Sequence, residues 1–175
     1  MKTHTMVDIE TLDVTPTSVI LTIGAQGFCP FTDQLTDVVY YERITLESQD
    51  DRSVDDGTIA WWGKQDAIVM EEAIGDTGQT RIPLKTALEK LSKIFWKTNT
   101  IWANGITFDM VILENAFKSA DMPIPWKYWN VSDARTIYKI KPVGKLANSH
   151  NALEDCVNQI QLLQKTLKEL NITEF

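Results

Sequence analysis

Apolar residues along this chain keep two rhythms. Ser18–Gly24 and Val38–Leu46 crowd β-branched and aromatic residues together, the composition of strands. A shorter run, Thr5-Met6-Val7, carries directly into Asp8-Ile9-Glu10 and reads as a first strand; Ile101-Trp102-Ala103 reads as another, buried one. Elsewhere the apolar positions recur at three and four. Leu84, Leu88, Leu91 and Phe95 follow Pro83, which sits where a helix favours its first residue. Leu153, Cys156, Ile160, Leu163, Leu167 and Leu170 form a longer stripe, with Asn151 as its N-cap and Glu154 three residues on as in a capping box. Further helices are expected over 67–73, 107–120 and 133–139, and a last strand over 127–131. Segments 26–36 and 47–57 lack a period and read as loops, the first joining two strands in a hairpin. Strands first, then alternating helices and strands, predict an α/β domain whose mixed sheet is covered by helices.

The length of 175 residues suits one domain with its own core, residues 1–175. No apolar run approaches the length of a membrane span, and the N-terminus lacks the basic-then-apolar order of a signal peptide. Cys29 and Cys156 have no CxxC partner or zinc spacing, so both are expected as buried thiols in a reducing cytoplasm. A net charge of −7 excludes broad adhesion to polyanions or anionic lipid. It leaves room for a nucleic acid held at one neutralised place.

Candidate chemistry begins at Asp8 and Glu10. Residues i and i+2 of a strand share a face, so two carboxylates stand side by side at a strand end. Like charges held together are costly unless a cation answers them. Asp109 falls in the first turn of an expected helix, where an anion is favoured and a capping role would by itself explain it. His150 precedes the cap of the last helix, and Asp155 lies one turn inside; a lone histidine there would be merely solvated. Four acids together are hard oxygen ligands suited to two Mg²⁺ or Mn²⁺, a pair able to clamp a phosphoryl displacement. Lys127, Arg135, Lys139, Lys141 and Lys145 make a local basic strip, a candidate phosphate track.

The order Asp8-Ile-Glu10, then Asn104-Gly-Ile-Thr-Phe108-Asp109, then His150-Asn-Ala152-Leu-Glu-Asp155 resembles the three motifs of the DEDDh (DnaQ-like) 3′–5′ exonuclease superfamily. Thr58-Ile-Ala-Trp61-Trp62 with Gln65, and Trp129-Asn130 leading to Asp133-Ala-Arg135-Thr136, are similar to its phage exonuclease A (DexA) branch and bacterial exoribonuclease-like relatives. The resemblance implies an RNase H-like fold with a mixed five-stranded sheet, its first three strands antiparallel. It implies that Asp8, Glu10, Asp109 and Asp155 hold the metals and that His150 takes a proton from the attacking water, a task suited to an imidazole, the side chain that in general gains and loses protons near neutrality. The main chain at Thr11 and Leu12, together with Phe108, Asn104, Trp61 and Arg135, is implied to meet the terminal nucleotide. Phe108 is equally a core residue, one of the two tryptophans is expected to be buried, and Arg135 could instead pair with Asp133. Asp13 departs from the glycine many relatives carry, placing another acid near the entrance.

The expected activity is metal-dependent 3′–5′ hydrolysis of DNA, single-stranded preferred, releasing nucleoside 5′-monophosphates in the cytoplasm of a bacterium or phage-infected cell. The partner is nucleic acid with a free 3′ end. No feature reads a 2′-hydroxyl, so an exoribonuclease is an alternative. A silent nucleic-acid-binding module on the same fold is another.

Overall fold

The computed structural model describes residues 3–75, 78 and 80–175. Five strands, β1 (His4–Thr11), β2 (Ile20–Phe28), β3 (Leu35–Arg43), β4 (Thr100–Ala103) and β5 (Val131–Asp133), form one sheet in the order β3-β2-β1-β4-β5. The first three run antiparallel as a meander, and β4 and β5 run parallel to β1. The helices are α1 (Asp56–Trp62), α2 (Ala67–Ala73), α3 (Leu84–Phe95), α4 (Asp109–Ser119), α5 (Ala134–Ile140) and α6 (Ala152–Glu169). No described helix is long and apolar enough to cross a membrane. Cys29 and Cys156 are buried free thiols, as expected.

Strand alternation divides β1 between two cores. Val7 and Ile9 enter the core built with Leu84, Leu88, Leu91 and Phe95 of α3 and with Ile112, Leu113 and Phe117 of α4. Met6 enters the other, with Cys156, Ile160, Leu163 and Leu167 of α6. Full burial of each such side chain stabilises by roughly 1.5–3 kcal/mol. Asp8 and Glu10 share the face of Met6, so the two acids end up beneath α6.

Three boundaries differ from the sequence expectation. β2 continues through Gly27 to Phe28, and β3 starts at Leu35, so the loop expected over 26–36 shrinks to 29–34. Gly27 acts as a close-packing position in an irregular ladder; a Cβ there would stand 2.2 Å from Thr36 Oγ1. The Gln26 amide donates to the carbonyls of Gly27, Thr36 and Val38, which ties the irregularity down. The segment expected as a loop over 47–57 ends in the N-cap of α1, where Asp55 Oδ2 accepts from Thr58 N at 2.7 Å. The last strand begins at Val131, because Tyr128–Asn130 closes into a 3₁₀ turn. At α6 Asn151 caps Leu153 N and Glu154 N, both at 3.1 Å, but the return half of a capping box is made by Ser149 Oγ accepting from Asn151 N, not by Glu154.

Candidate active site

The helix α6 reaches the β1 acids because of a glycine. Gly24 faces Asp8 across the β1–β2 ladder, and a Cβ on it would lie 2.3 Å from the carbonyl carbon of Ala152 and 2.5 Å from Leu153 N. Without that side chain the first turn of α6 lies directly on the sheet, and Asp155 arrives 2% exposed beside Glu10. The turn before the helix closes onto this carboxylate. Ser149 N and Oγ donate to Asp155 Oδ1 at 2.7 and 3.0 Å, and His150 N donates to Oδ2 at 3.0 Å. A bulge follows Glu10, where the pairing skips from Thr22 to Ile20. Such a step bends a strand end and re-aims its side chains.

Asp109 comes from the other face of the sheet. β4 pairs with β1 only through Thr100–Trp102 opposite His4–Met6, so farther along β1 no strand meets its backbone on that side. Asp109 takes the position, accepting the Ile9 N–H at 3.2 Å. Its carboxylate, 3% exposed, thereby enters the gap beside Asp8 from the first turn of α4.

His150 has a left-handed backbone, φ 55°, uncommon for a residue with a side chain and concentrated at functional sites. Its ring lies edge-on to Trp61, with centroids 4.9 Å apart, and to Trp62 at 6.2 Å. Hydrogen bonding orients the Asn148 amide so that Nδ2 donates to Asp155 Oδ2 at 2.5 Å and Oδ1 accepts from His150 Nδ1 at 3.3 Å. Nδ1 then carries the proton and Nε2 is the basic nitrogen. One ligand atom each of Glu10, His150 and Asp155 lies within 4.8 Å of the others, a spacing that would hold a metal ion.

Electrostatics match the crowding. Burial first, then the charges of Asp155 and Asp109, push the Glu10 carboxyl up to about 8. Burial pushes Asp109 up to about 7, although the Ile9 N–H and the Arg135 charge pull the other way. Asp8 is raised as well, by burial and then by Asp109 and Glu10, against the hydrogen bond from Gln159. The ion pairs among the described residues, Lys90–Glu42 and Lys118–Glu114, lie elsewhere. Among the described residues none of the four acids has a salt-bridge partner.

Beside Glu10 opens a cavity of about 460 Å³, lined by Thr11, Val14, Asp55, Trp61, Trp62 and Phe108 among others. Phe108 both packs on the core and faces this cavity. A cavity of about 490 Å³ at the other end of the sheet, against His4 and Phe28, holds none of the four acids. Trp62 is the buried member of the tryptophan pair, its Nε1 donating to Thr11 O at 2.9 Å. Leu12 lies behind the cavity wall, its N–H given to Val19 O and its carbonyl taken by Asp55 N. The Arg135 guanidinium makes no ion pair with Asp133. Its Nη2 donates to Asn104 O at 2.6 Å and its Nε to Asn104 Oδ1 at 3.4 Å, clamping the turn at Gly105, φ 110°. Asp133 instead accepts from Gly105 N and Arg135 N. Asp13 does not line the cavity; its carboxylate turns into its own turn, where hydrogen bonds from Ser53, Thr15 and Val14 N–H lower its pKa and hold it ionised. Sequence reasoning missed Asn148, Ser149 and Gln159. Only Gln159 left a sign, a polar residue four positions after Asp155 on the same helix face.

Comparison with known proteins gives the architecture its relatives. No curated protein matches the chain in sequence. Escherichia coli exonuclease I in complex with a dT13 oligonucleotide superposes with a TM-score of 0.70 at 15% identity, over 98% of this chain and 43% of that one. The zinc-bound form of the E. coli exonuclease I–ssDNA complex gives 0.71 at 16%, over 99% and 42%. The cell-death related nuclease CRN-4 gives 0.61 at 12%, over 96% and 64%. These likenesses identify the fold as RNase H-like, and the chain spans about two fifths of the length of exonuclease I. The family model for the 3′–5′ exoribonuclease Rv2179c-like domain matches residues 3–167. A match over nearly the whole chain, through all three acidic motifs, means that it belongs to the 3′–5′ exoribonuclease Rv2179c-like family, within the DEDDh 3′–5′ exonuclease superfamily.

Proposed function

We propose that this chain is a divalent-metal-dependent exonuclease that removes nucleotides one at a time from the 3′ end of a single-stranded nucleic acid. The observation that carries the reading is convergence: Asp8 and Glu10 from β1, Asp109 from α4, and Asp155 with His150 from the start of α6 meet at one cleft. The donor set fits the cofactor, since clustered carboxylates favour Mg²⁺ or Mn²⁺ and four of them can balance two such ions. Asp8, Glu10, Asp109 and Asp155 would hold them. When bound, the cations neutralise phosphate charge and make water easier to deprotonate.

The chain's own residues do the rest. His150 Nε2 accepts the proton of the attacking water, with Nδ1–H held by Asn148 and the ring backed by Trp61. The resulting hydroxide adds to phosphorus, and the 3′-oxygen of the preceding nucleotide leaves and takes up a proton from solvent, freeing a nucleoside 5′-monophosphate. Phe108 and Thr11 border the space for the terminal nucleotide, and Asn104 and Arg135 stand at the neighbouring turn. The exposed Lys127, Lys139, Lys141 and Lys145 provide a surface for the phosphates upstream.

The family's description as an exoribonuclease domain favours RNA as substrate, whereas the sequence alone leaned to DNA. DNA is the second reading, supported by the oligonucleotides bound to exonuclease I. The test uses matched 5′-labelled RNA and DNA oligomers, 3′-free or 3′-blocked, with Mg²⁺, Mn²⁺ or EDTA. A metal-dependent ladder from free 3′ ends alone is expected, faster on RNA. No cleavage of any oligomer by folded, metal-loaded protein would leave a binding module on the same fold.

A further inference from the structure

Gln159 lies one turn beyond Asp155 on α6, 3% exposed, in a stripe otherwise made of Cys156, Ile160 and Leu163. Its Nε2 donates to Asp8 Oδ1 at 2.7 Å. Its Oε1 is buried and has no hydrogen-bond partner. A buried carbonyl without a donor is costly, and an apolar side chain of the same length would fill this place without that cost. The main chain at this residue is held from a second element too, because the Tyr138 hydroxyl of α5 donates to Gln159 O at 2.7 Å. The amide is thus fixed at its root and spends its donor on one of the acids.

We propose that Gln159 is a positioning residue for Asp8: its N–H occupies Oδ1, sets the rotamer of the carboxylate, and leaves Oδ2 as the oxygen offered to a divalent cation. A ligating carboxylate that is itself hydrogen-bonded binds with fixed orientation, and removing such a partner typically lowers metal affinity about 10–100-fold. The inference rests on the metal-dependent reading above.

The test measures Mn²⁺ binding to the full chain by calorimetry, with unfolding temperature in EDTA, for the wild type, Gln159→Met and Gln159→Asn. Methionine keeps the volume and removes the donor; asparagine keeps the amide but is one methylene too short to reach Asp8. Both variants are expected to unfold cooperatively in EDTA near the wild-type temperature while binding Mn²⁺ at least tenfold more weakly. The Mg²⁺ concentration for half-maximal cleavage should rise in parallel. Wild-type affinity in either folded variant would overturn the inference, as would a lowered unfolding temperature with unchanged affinity, which would make Gln159 a packing residue. A wild-type chain that takes up no Mn²⁺ would sink the metal-dependent reading itself, an outcome distinct from a variant that binds as well as the wild type.

Discussion

At the scale of single residues, the proposed mechanism separates groups that hold charge from the group that moves a proton. His150→Ala removes the base while leaving all four carboxylates, so turnover should fall about 10²–10⁴-fold with Mn²⁺ affinity unchanged. Single-turnover kinetics beside calorimetry checks this. A collapse of Mn²⁺ binding would instead make His150 a ligand with Glu10 and Asp155, whose donor atoms lie within 4.8 Å. In the same reading Trp61 acts through His150, whose ring it packs against edge-on. It is 42% exposed, so Trp61→Ala should change stability little, yet it frees the imidazole edge packed 4.9 Å away. Misplacing a catalytic group by about 1 Å can cost up to ~10²-fold, and a fall in kcat of roughly tenfold or more is expected. A larger effect on KM than on kcat would point to base stacking as the main role of Trp61.

At the scale of elements, the site depends on how closely α6 approaches the sheet. Gly24→Ala places a methyl group inside the backbone of Ala152 and Leu153, so the helix start must lift. Overpacking of this kind costs about 1–3 kcal/mol. Because Asp155 travels with the helix, metal affinity should fall with stability, in contrast to Gln159→Met; denaturant unfolding with and without Mn²⁺ checks both. The contribution of α6 was half legible in sequence. The 3–4 stripe and the Asn151 cap announce the helix, and strand alternation announces that Asp8 and Glu10 share a face. No local pattern announces that Gly24 is a contact point, since a glycine in a strand signals close approach without naming the neighbour. Asp109 is similar. Its motif is visible, but its bond to Ile9 N–H exists because β4 is shorter than β1, a property of two strands a hundred residues apart. The tryptophan pair was conspicuous, yet α1, at seven residues, is too short to show a stripe, so neither its helix nor its contact with His150 could be read. Gly27 misled for a further reason: a turn former by habit, it sits inside a ladder held by the Gln26 amide.

At the scale of the whole molecule, the acid cluster couples stability, pH and metal. In the folded, metal-free chain Glu10 titrates at about 8 against an ordinary 4.5, and Asp109 at about 7 against 3.8, with Asp8 also raised. The folded state therefore binds more protons than the unfolded state from about pH 4 to 8. Stability changes with pH in proportion to the protons bound by the unfolded state minus those bound by the folded state. That difference is negative here, so these groups lower stability as pH rises through the window, and the part due to Glu10 and Asp109 levels off above about pH 8. A divalent cation requires the ionised carboxylates and competes with their protons. Its stabilisation should consequently be smallest at pH 6 and largest above pH 8. Thermal unfolding between pH 6 and 8.5, in EDTA and in 10 mM-scale Mg²⁺ or Mn²⁺ (roughly saturating for sites that keep several waters), makes the comparison. The unfolding temperature in EDTA should decline with pH, while the gap between metal-loaded and metal-free protein widens. In Glu10→Gln the slope in EDTA should flatten, since one of the raised groups is gone. A gap independent of pH would mean that the cation binds away from Asp8, Glu10 and Asp109, and the convergence of three elements on one cleft would need another explanation.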